Sequence, residues 1–159
     1  MKESYDVILY FGWVHSSSMH KYFALKEELS KHTNTLLILG NSNYGISNEQ
    51  FELFKEFSKD VIVADIKRTT EILFHYQPKL LVFGGAKWEY DWQSQMSAQL
   101  KATTIQLPHG VFGEVWIKCR PDYLATLGPV HNLFVEHHKP EFKDTKKIQI
   151  NPWLHGLHE

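Results

Sequence analysis

Three short stretches set chemically capable side chains beside glycine. They are Gly12-Trp13-Val14-His15-Ser16-Ser17-Ser18, Gly84-Gly85-Ala86-Lys87-Trp88-Glu89 and Leu107-Pro108-His109-Gly110. In the last, an imidazole is fixed between a proline and a glycine. Near neutral pH such a group takes a proton as general base or donates a hydrogen bond to a hydroxyl or phosphate. Glu114 follows closely enough to orient His109 or to act as a base itself, and His15 is a further proton acceptor. His109, Glu114 and His15 are therefore the catalytic candidates. Gly12, Gly84, Gly85 and Gly110 let backbone approach a ligand closely, and Trp13, Ser16 and Lys87 complete the candidate binding set. Each stretch also has a plainer reading: a capped helix start with a packed tryptophan, an ordinary strand-to-helix turn, and a structural histidine.

Other chemistries fit poorly. None of the stretches is a G-x-G-x-x-G fingerprint or a P-loop, and there is no G-x-S-x-G elbow, so dinucleotide binding and serine hydrolysis are not expected. The chain has ten histidines, but neither His137-His138 nor His155-x-x-His158 has H-E-x-x-H spacing. No metal site is assigned. Cys119 is the only cysteine, which excludes an intramolecular disulfide and a cysteine-based zinc site and points to a reducing, cytoplasmic compartment. A net charge of -1 lacks the basic excess that nucleic-acid binding requires. The lysines Lys143, Lys146 and Lys147 are expected on a solvated face. No apolar run approaches the ~20 residues that span a bilayer, which leaves room only for peripheral membrane contact.

The candidate residues need strands and helices to position them. The apolar runs Asp6–Tyr10, Thr35–Leu39, Val61–Ala64, Leu80–Phe83 and Thr103–Leu107 predict buried strands, because apolar residues are nearly continuous in them rather than alternating. Between them, helical spacing predicts helices over Met19–His32, capped by one of the three serines, from Ser47 through the stripe Phe51, Phe54 and Phe57, from Thr69 or Thr70 to Tyr76, and over Tyr90–Lys101. Strands alternating with helices in this way give βαβ units and a mostly parallel sheet. After Gly110 an irregular segment over 111–119 is expected. It is followed by a strand at Tyr123–Thr126, a short helix at His131–His137, a polar exposed stretch at Glu136–Asp144 and a strand at Lys147–Ile150. The fold class is thus α/β, a Rossmann-like three-layer α/β/α sandwich. One domain fills 1–150, and 151–159 is a tail or the start of a linker to a further domain. At 14% the aromatic content is high enough to fill a core and leave some for a pocket or partner surface. Trp92, Trp116 and Trp153 are the residues to watch for such a surface.

A strand ending in Pro108-His109-Gly110, the stretch Pro121 to Gly128 (PDYLATLG) and the stretch Lys147 to Trp153 (KIQINPW) together resemble the N-terminal domain of GT-B glycosyltransferases of the capsule, teichoic-acid-polymerase or sugar-epimerase-like type. The departure is Asn151-Pro152, where that family has G-x-P. The resemblance implies an acceptor-binding domain for glycan or polysaccharide synthesis, with a glycan or other hydroxyl compound as acceptor. It implies no bound cofactor or reaction-centre metal, a nucleotide-sugar co-substrate, and a second, donor-binding domain or subunit. By the same resemblance His109 and Gly110 line the cleft, with Gly12 and His15 opposite. Two other expectations stand beside it: a non-catalytic flavodoxin-like regulatory or protein-interaction module, and a small self-contained nucleotide-binding enzyme.

Overall fold

The structure is a computed structural model that describes residues 1–12, 16–40, 49, 52, 56, 59–84, 89–107 and 121–149. Its strands are β1 (Val7–Phe11), β2 (Thr35–Gly40), β3 (Val61–Ala64), β4 (Leu80–Gly84), β5 (Thr103–Gln106), β6 (Tyr123–Thr126) and β7 (Lys146–Gln149). They form one seven-stranded sheet in the order β3-β2-β1-β4-β5-β6-β7, and every pairing is parallel. The α-helices whose bounds fall among the described residues are α1 (Ser16–Ser30), α2 (Ile66–Tyr76), α3 (Tyr90–Gln99) and α4 (Pro129–His138). This is the expected Rossmann-like α/β fold.

Successive residues of a strand point to opposite faces, and here both faces are covered. Val7, Leu9 and Phe11 of β1, with Leu37, Leu39, Val61 and Val82, pack against Tyr22, Phe23, Leu25 and Leu29 of α1. Ile8 and Tyr10, with Leu36, Ile38, Leu81 and Phe83, pack against Ile72 and Leu73 of α2, Met96 of α3 and Leu100 at its C-cap. A separate cluster of Leu124, Val135 and Phe142 seals the far end of the sheet.

The helix boundaries show where local chemistry outweighed the apolar pattern. α1 begins at Ser16, so Ser16, Ser17 and Ser18 lie inside its first turn rather than capping it. α2 begins at Ile66 rather than at Thr69 or Thr70, because Asp65 is its N-cap and accepts from the Arg68 N–H at 2.7 Å. Thr70, inside the helix, donates back to the Ile66 carbonyl instead. The helix closes on Gln77 in the left-handed region, whose N–H bonds to the Leu73 carbonyl, and Pro78 follows. α4 starts at Pro129 rather than His131, since proline is pre-set for the first helical position and has no N–H to lose there. Glu49, Glu52 and Glu56 are helical and exposed, and the stripe Phe51, Phe54 and Phe57 lies outside the described residues. So do the irregular segment expected over 111–119, with Cys119 and Trp116, and the tail 151–159, with Trp153, His155 and His158.

Two expectations for the last third are corrected. Glu136–Asp144 is not uniformly exposed: a turn of 3-10 helix at Pro140–Phe142 drives Phe142 fully into the core. Of the three lysines, Lys143 and Lys146 are exposed, but Lys147 is not on a solvated face. Its amino group donates to the carbonyls of Phe142, Lys143 and Thr145, each at 3.2 Å, and pairs with Glu136. It thereby gives the Lys143 and Thr145 carbonyls a donor and adds a second to the Phe142 carbonyl, which already accepts from the Thr145 N–H. Phe142→Ala is expected to cost about 3–5 kcal/mol, the usual penalty for deleting a buried aromatic ring. Urea unfolding monitored by circular dichroism checks this, and a loss under 1 kcal/mol, roughly that of an ordinary surface change, would contradict the packing described.

Candidate functional site at the carboxyl ends of β1 and β4

The chain runs from β1 outward to β2 and β3, then crosses back to place β4 on the other side of β1. Helices following strands on the two sides of such a switch leave to opposite faces, which opens a crevice at the strands' carboxyl ends. Phe11 pairs with Gly84 in register, and the Gly12 N–H donates to the Gly84 carbonyl at 3.1 Å. Next to them β5 ends, with Gln106 opposite Phe83 and the Leu107 N–H bonded to the Phe83 carbonyl at 2.7 Å. The strands that precede all three candidate stretches therefore end side by side. Of the candidate residues, Gly12 and Gly84 are adjacent here, and Ser16 opens α1. Trp13, His15, Gly85, Lys87, His109, Gly110 and Glu114 lie outside the described residues.

Packing explains the glycines that are described. A Cβ on Gly12 would fall 1.6 Å from Glu89 Oε2, so what comes close to this backbone is the protein's own carboxyl group. A Cβ on Gly84 would fall 2.7 Å from the Phe11 ring, and one on Gly40, at the end of β2, would fall 2.7 Å from Gly12 Cα. All are below any normal contact, and two of the three neighbours are backbone or a wedged ring. The ends of β1, β2 and β4 thus meet more closely than any side chain allows.

Glu89 stands immediately before α3 and is 7% exposed. The Tyr10 hydroxyl donates to its Oε1 at 2.9 Å. That phenol is held by edge contacts with Trp92 (4.9 Å) and Phe83 (6.3 Å), and the Trp92 indole N–H donates to Thr70 Oγ1 at 2.8 Å, tying α3 to α2. Trp92 therefore belongs to this buried framework rather than to an exposed aromatic patch. Glu89 Oε2 has no hydrogen-bond partner among the described residues, nor does either polar end of Gln93, which is 1% exposed. Burial pushes the Glu89 carboxyl above its ordinary pKa, against the opposing hydrogen bond from Tyr10. Burial, and then the charge of Glu89, raise the Tyr10 phenol.

Sequence reasoning named Glu89 only as the last residue of the second glycine stretch and missed Tyr10 and Gln93. The signal for Gln93 was the spacing Gln93, Met96, Leu100, which places an amide on the buried stripe of α3. Asp122, in the stretch from Pro121 to Gly128, has a structural role. Its carboxylate accepts from the Thr104 N–H (2.8 Å) and hydroxyl (3.1 Å), fastening β6 to β5. In the same stretch Gly128 has φ 137°, a conformation that favours glycine, and so permits the turn into α4. An open hollow of about 450 Å³ lies at the other end of the strands, lined by Thr103, Pro121, Asp122, Tyr123, Asp144 and Lys146. Among the described residues no group of three or more histidine, cysteine, aspartate or glutamate side chains is arranged to hold a metal ion. No helix among them is long and apolar enough to cross a membrane.

Gly12→Ala is expected to unseat Glu89 and lower thermal stability measurably, whereas Gly12→Ala combined with Glu89→Ala should recover part of the loss. Equal losses in single and double variants would show that Glu89 is not what fills the space. Because the folded state raises the Glu89 pKa, it binds this proton more tightly than the unfolded state does. Glu89 therefore destabilises the fold as pH rises from its ordinary value of 4.5 through the folded value. Across that window Glu89→Gln should unfold at a higher denaturant concentration relative to wild type as pH increases, and a pH-independent difference would contradict the burial.

The chain matches no family model, no curated protein and no solved structure.

Proposed function

We propose that this chain binds a hydroxyl-bearing acceptor in the crevice at the carboxyl ends of β1, β4 and β5, as the acceptor-side half of a GT-B-like glycosyltransferase in glycan synthesis. The observation that carries this reading is the convergence of those three strand ends at the switch point, each leading into a stretch nominated for its chemistry. Open parallel sheets place their ligands there. Buried polar groups at the same place, Glu89 and Gln93, add hydrogen-bonding capacity that the packing of the described residues does not use.

In this reading a donor-binding domain or subunit brings the nucleotide sugar. His109 takes the proton from the acceptor hydroxyl as its oxygen attacks the anomeric carbon. The bond from that carbon to the diphosphate oxygen breaks, and the nucleoside diphosphate leaves with the electron pair. Glu114 and His15 are the other candidates for the base, and no bound metal is invoked. A protein-interaction role draws instead on α4, where Val130 and Leu133 are 82% and 68% exposed. That surface is on the helix that follows β6.

In the active assembly, His109→Ala is expected to lower kcat by about 10²–10⁴-fold, the usual contribution of a general base. Unchanged turnover would remove His109 from the mechanism. For the chain itself, amide NMR during titration with neutral oligosaccharides should move the signals of Gly12 and Gly84. Shifts confined to α4 on addition of a candidate protein, with none at the crevice for any sugar, would replace this reading with the interaction module.

A further inference from the structure

We infer that Glu89 and Gln93 form a polar floor to the crevice that binds a neutral hydroxyl group and disfavours phosphate at that position. The inference rests on the proposed acceptor-binding role, since it assigns the part of the acceptor that this crevice would hold.

The two side chains are placed together by the helix. Glu89 directly precedes α3 and Gln93 follows four positions later, so both lie on one helix face. That face continues downward through Met96 and Leu100, which pack on the sheet. Glu89 is located independently of the helix: its Oε2 stands over Gly12, at the end of β1. The helix face therefore meets the sheet with apolar side chains low down and polar ones at the carboxyl end, where the crevice opens.

The hydrogen-bonding inventory of the floor selects the ligand. Glu89 Oε1 is occupied by the Tyr10 hydroxyl, while Glu89 Oε2, Gln93 Oε1 and Gln93 Nε2 have no partner among the described residues. The free set thus contains both a donor and acceptors whatever the protonation state of Glu89. A hydroxyl group donates and accepts at once and can satisfy both kinds. Inorganic phosphate keeps an O–H donor near neutral pH, but it carries negative charge that meets the Glu89 carboxyl in a poorly solvated setting, with no cation among Tyr10, Glu89 and Gln93 to offset it. Met or Leu at these positions would simply extend the stripe, and buried polar atoms without partners cost stability. Stability given up at a crevice is the pattern of a site kept for binding. Neutral hydroxyls reach such a floor from two sources, the sugar ring of an acceptor or the ribose of a nucleoside.

The test is NMR on the full chain labelled at glutamate and glutamine, reading the Glu89 carboxyl carbon and the Gln93 side-chain amide. The probes are methyl glucoside, uridine and inorganic phosphate, each with wild type and Gln93→Leu, and thermal unfolding is measured on both proteins. Methyl glucoside is expected to move both signals saturably, with phosphate moving neither. Gln93→Leu is expected to unfold at higher temperature than wild type and to bind the neutral probe at least about tenfold more weakly. The inference is overturned if phosphate moves the Gln93 amide at lower concentration than the neutral probes. It is equally overturned if neither neutral probe moves the pair, or if Gln93→Leu lowers the unfolding temperature. Shifts at Gly12 and Gly84 without shifts at Glu89 and Gln93 would sink this inference and leave the acceptor-binding role standing. Uridine moving the pair where methyl glucoside does not would uphold hydroxyl binding and sink the acceptor-binding role.

Discussion

Strand β1 has no side that faces water. It is hydrogen-bonded to β2 along one edge and to β4 along the other, and helices cover both of its faces. Every side chain from Val7 to Phe11 must therefore be buried, and all are. Burial of an unbroken apolar run is worth roughly 1.5–3 kcal/mol per large side chain, and β2 beside it draws on both layers in the same way. The neighbours inherit their register from this strand. Where β1 ends, the demand for apolar residues ends too, and the interior there holds polar groups: the Tyr10 hydroxyl, the Glu89 carboxyl and the Gln93 amide.

The close meeting of strand ends and the buried polar groups are two aspects of the same geometry. Gly12, Gly40 and Gly84 allow β1, β2 and β4 to come within backbone contact, and the space that a side chain would take on Gly12 goes to Glu89. The aromatic surplus serves the same purpose. Tyr10, Phe83 and Trp92 form a rigid set under the Glu89 carboxyl, while Phe11 stacks on Tyr22 on the opposite face at 3.9 Å. Of the three tryptophans named for a partner surface, Trp92 is scaffolding for this corner of the molecule.

The strands were legible in the sequence because burial on both faces leaves uninterrupted apolar runs, and the parallel order followed from their alternation with helices. Helix starts were less legible, since they depend on a single backbone-to-side-chain bond. Asp65 outranks Thr69 and Thr70 as a cap through one bond to the Arg68 N–H, and no apolar periodicity reports it. Phe142 was hidden because its neighbours are polar, and its burial depends on tertiary contact with Leu124 and Val135. For the candidate site, glycines at strand ends marked where the strands meet closely, without showing what fills the space beside them. Their partners come from a stretch distant in sequence, and a Gly12–Glu89 contact leaves no periodic trace. Of the resemblance motifs, Asp122 and Gly128 turn out to hold β6 and its exit in place, work that many parallel sheets would need whatever they bind.

The switch between β1 and β4 also sets the order in which the molecule can assemble. Val7 must find Leu80, although Thr35 is far nearer along the chain. Closing the longer loop costs more chain entropy before any contact offsets it. The β1–β2–β3 half can collapse early, with the second edge of β1 still open. Gly12 and Glu89 then come from opposite sides of the slowest closure, so the crevice is absent from any partly folded chain in which β4 has not yet docked.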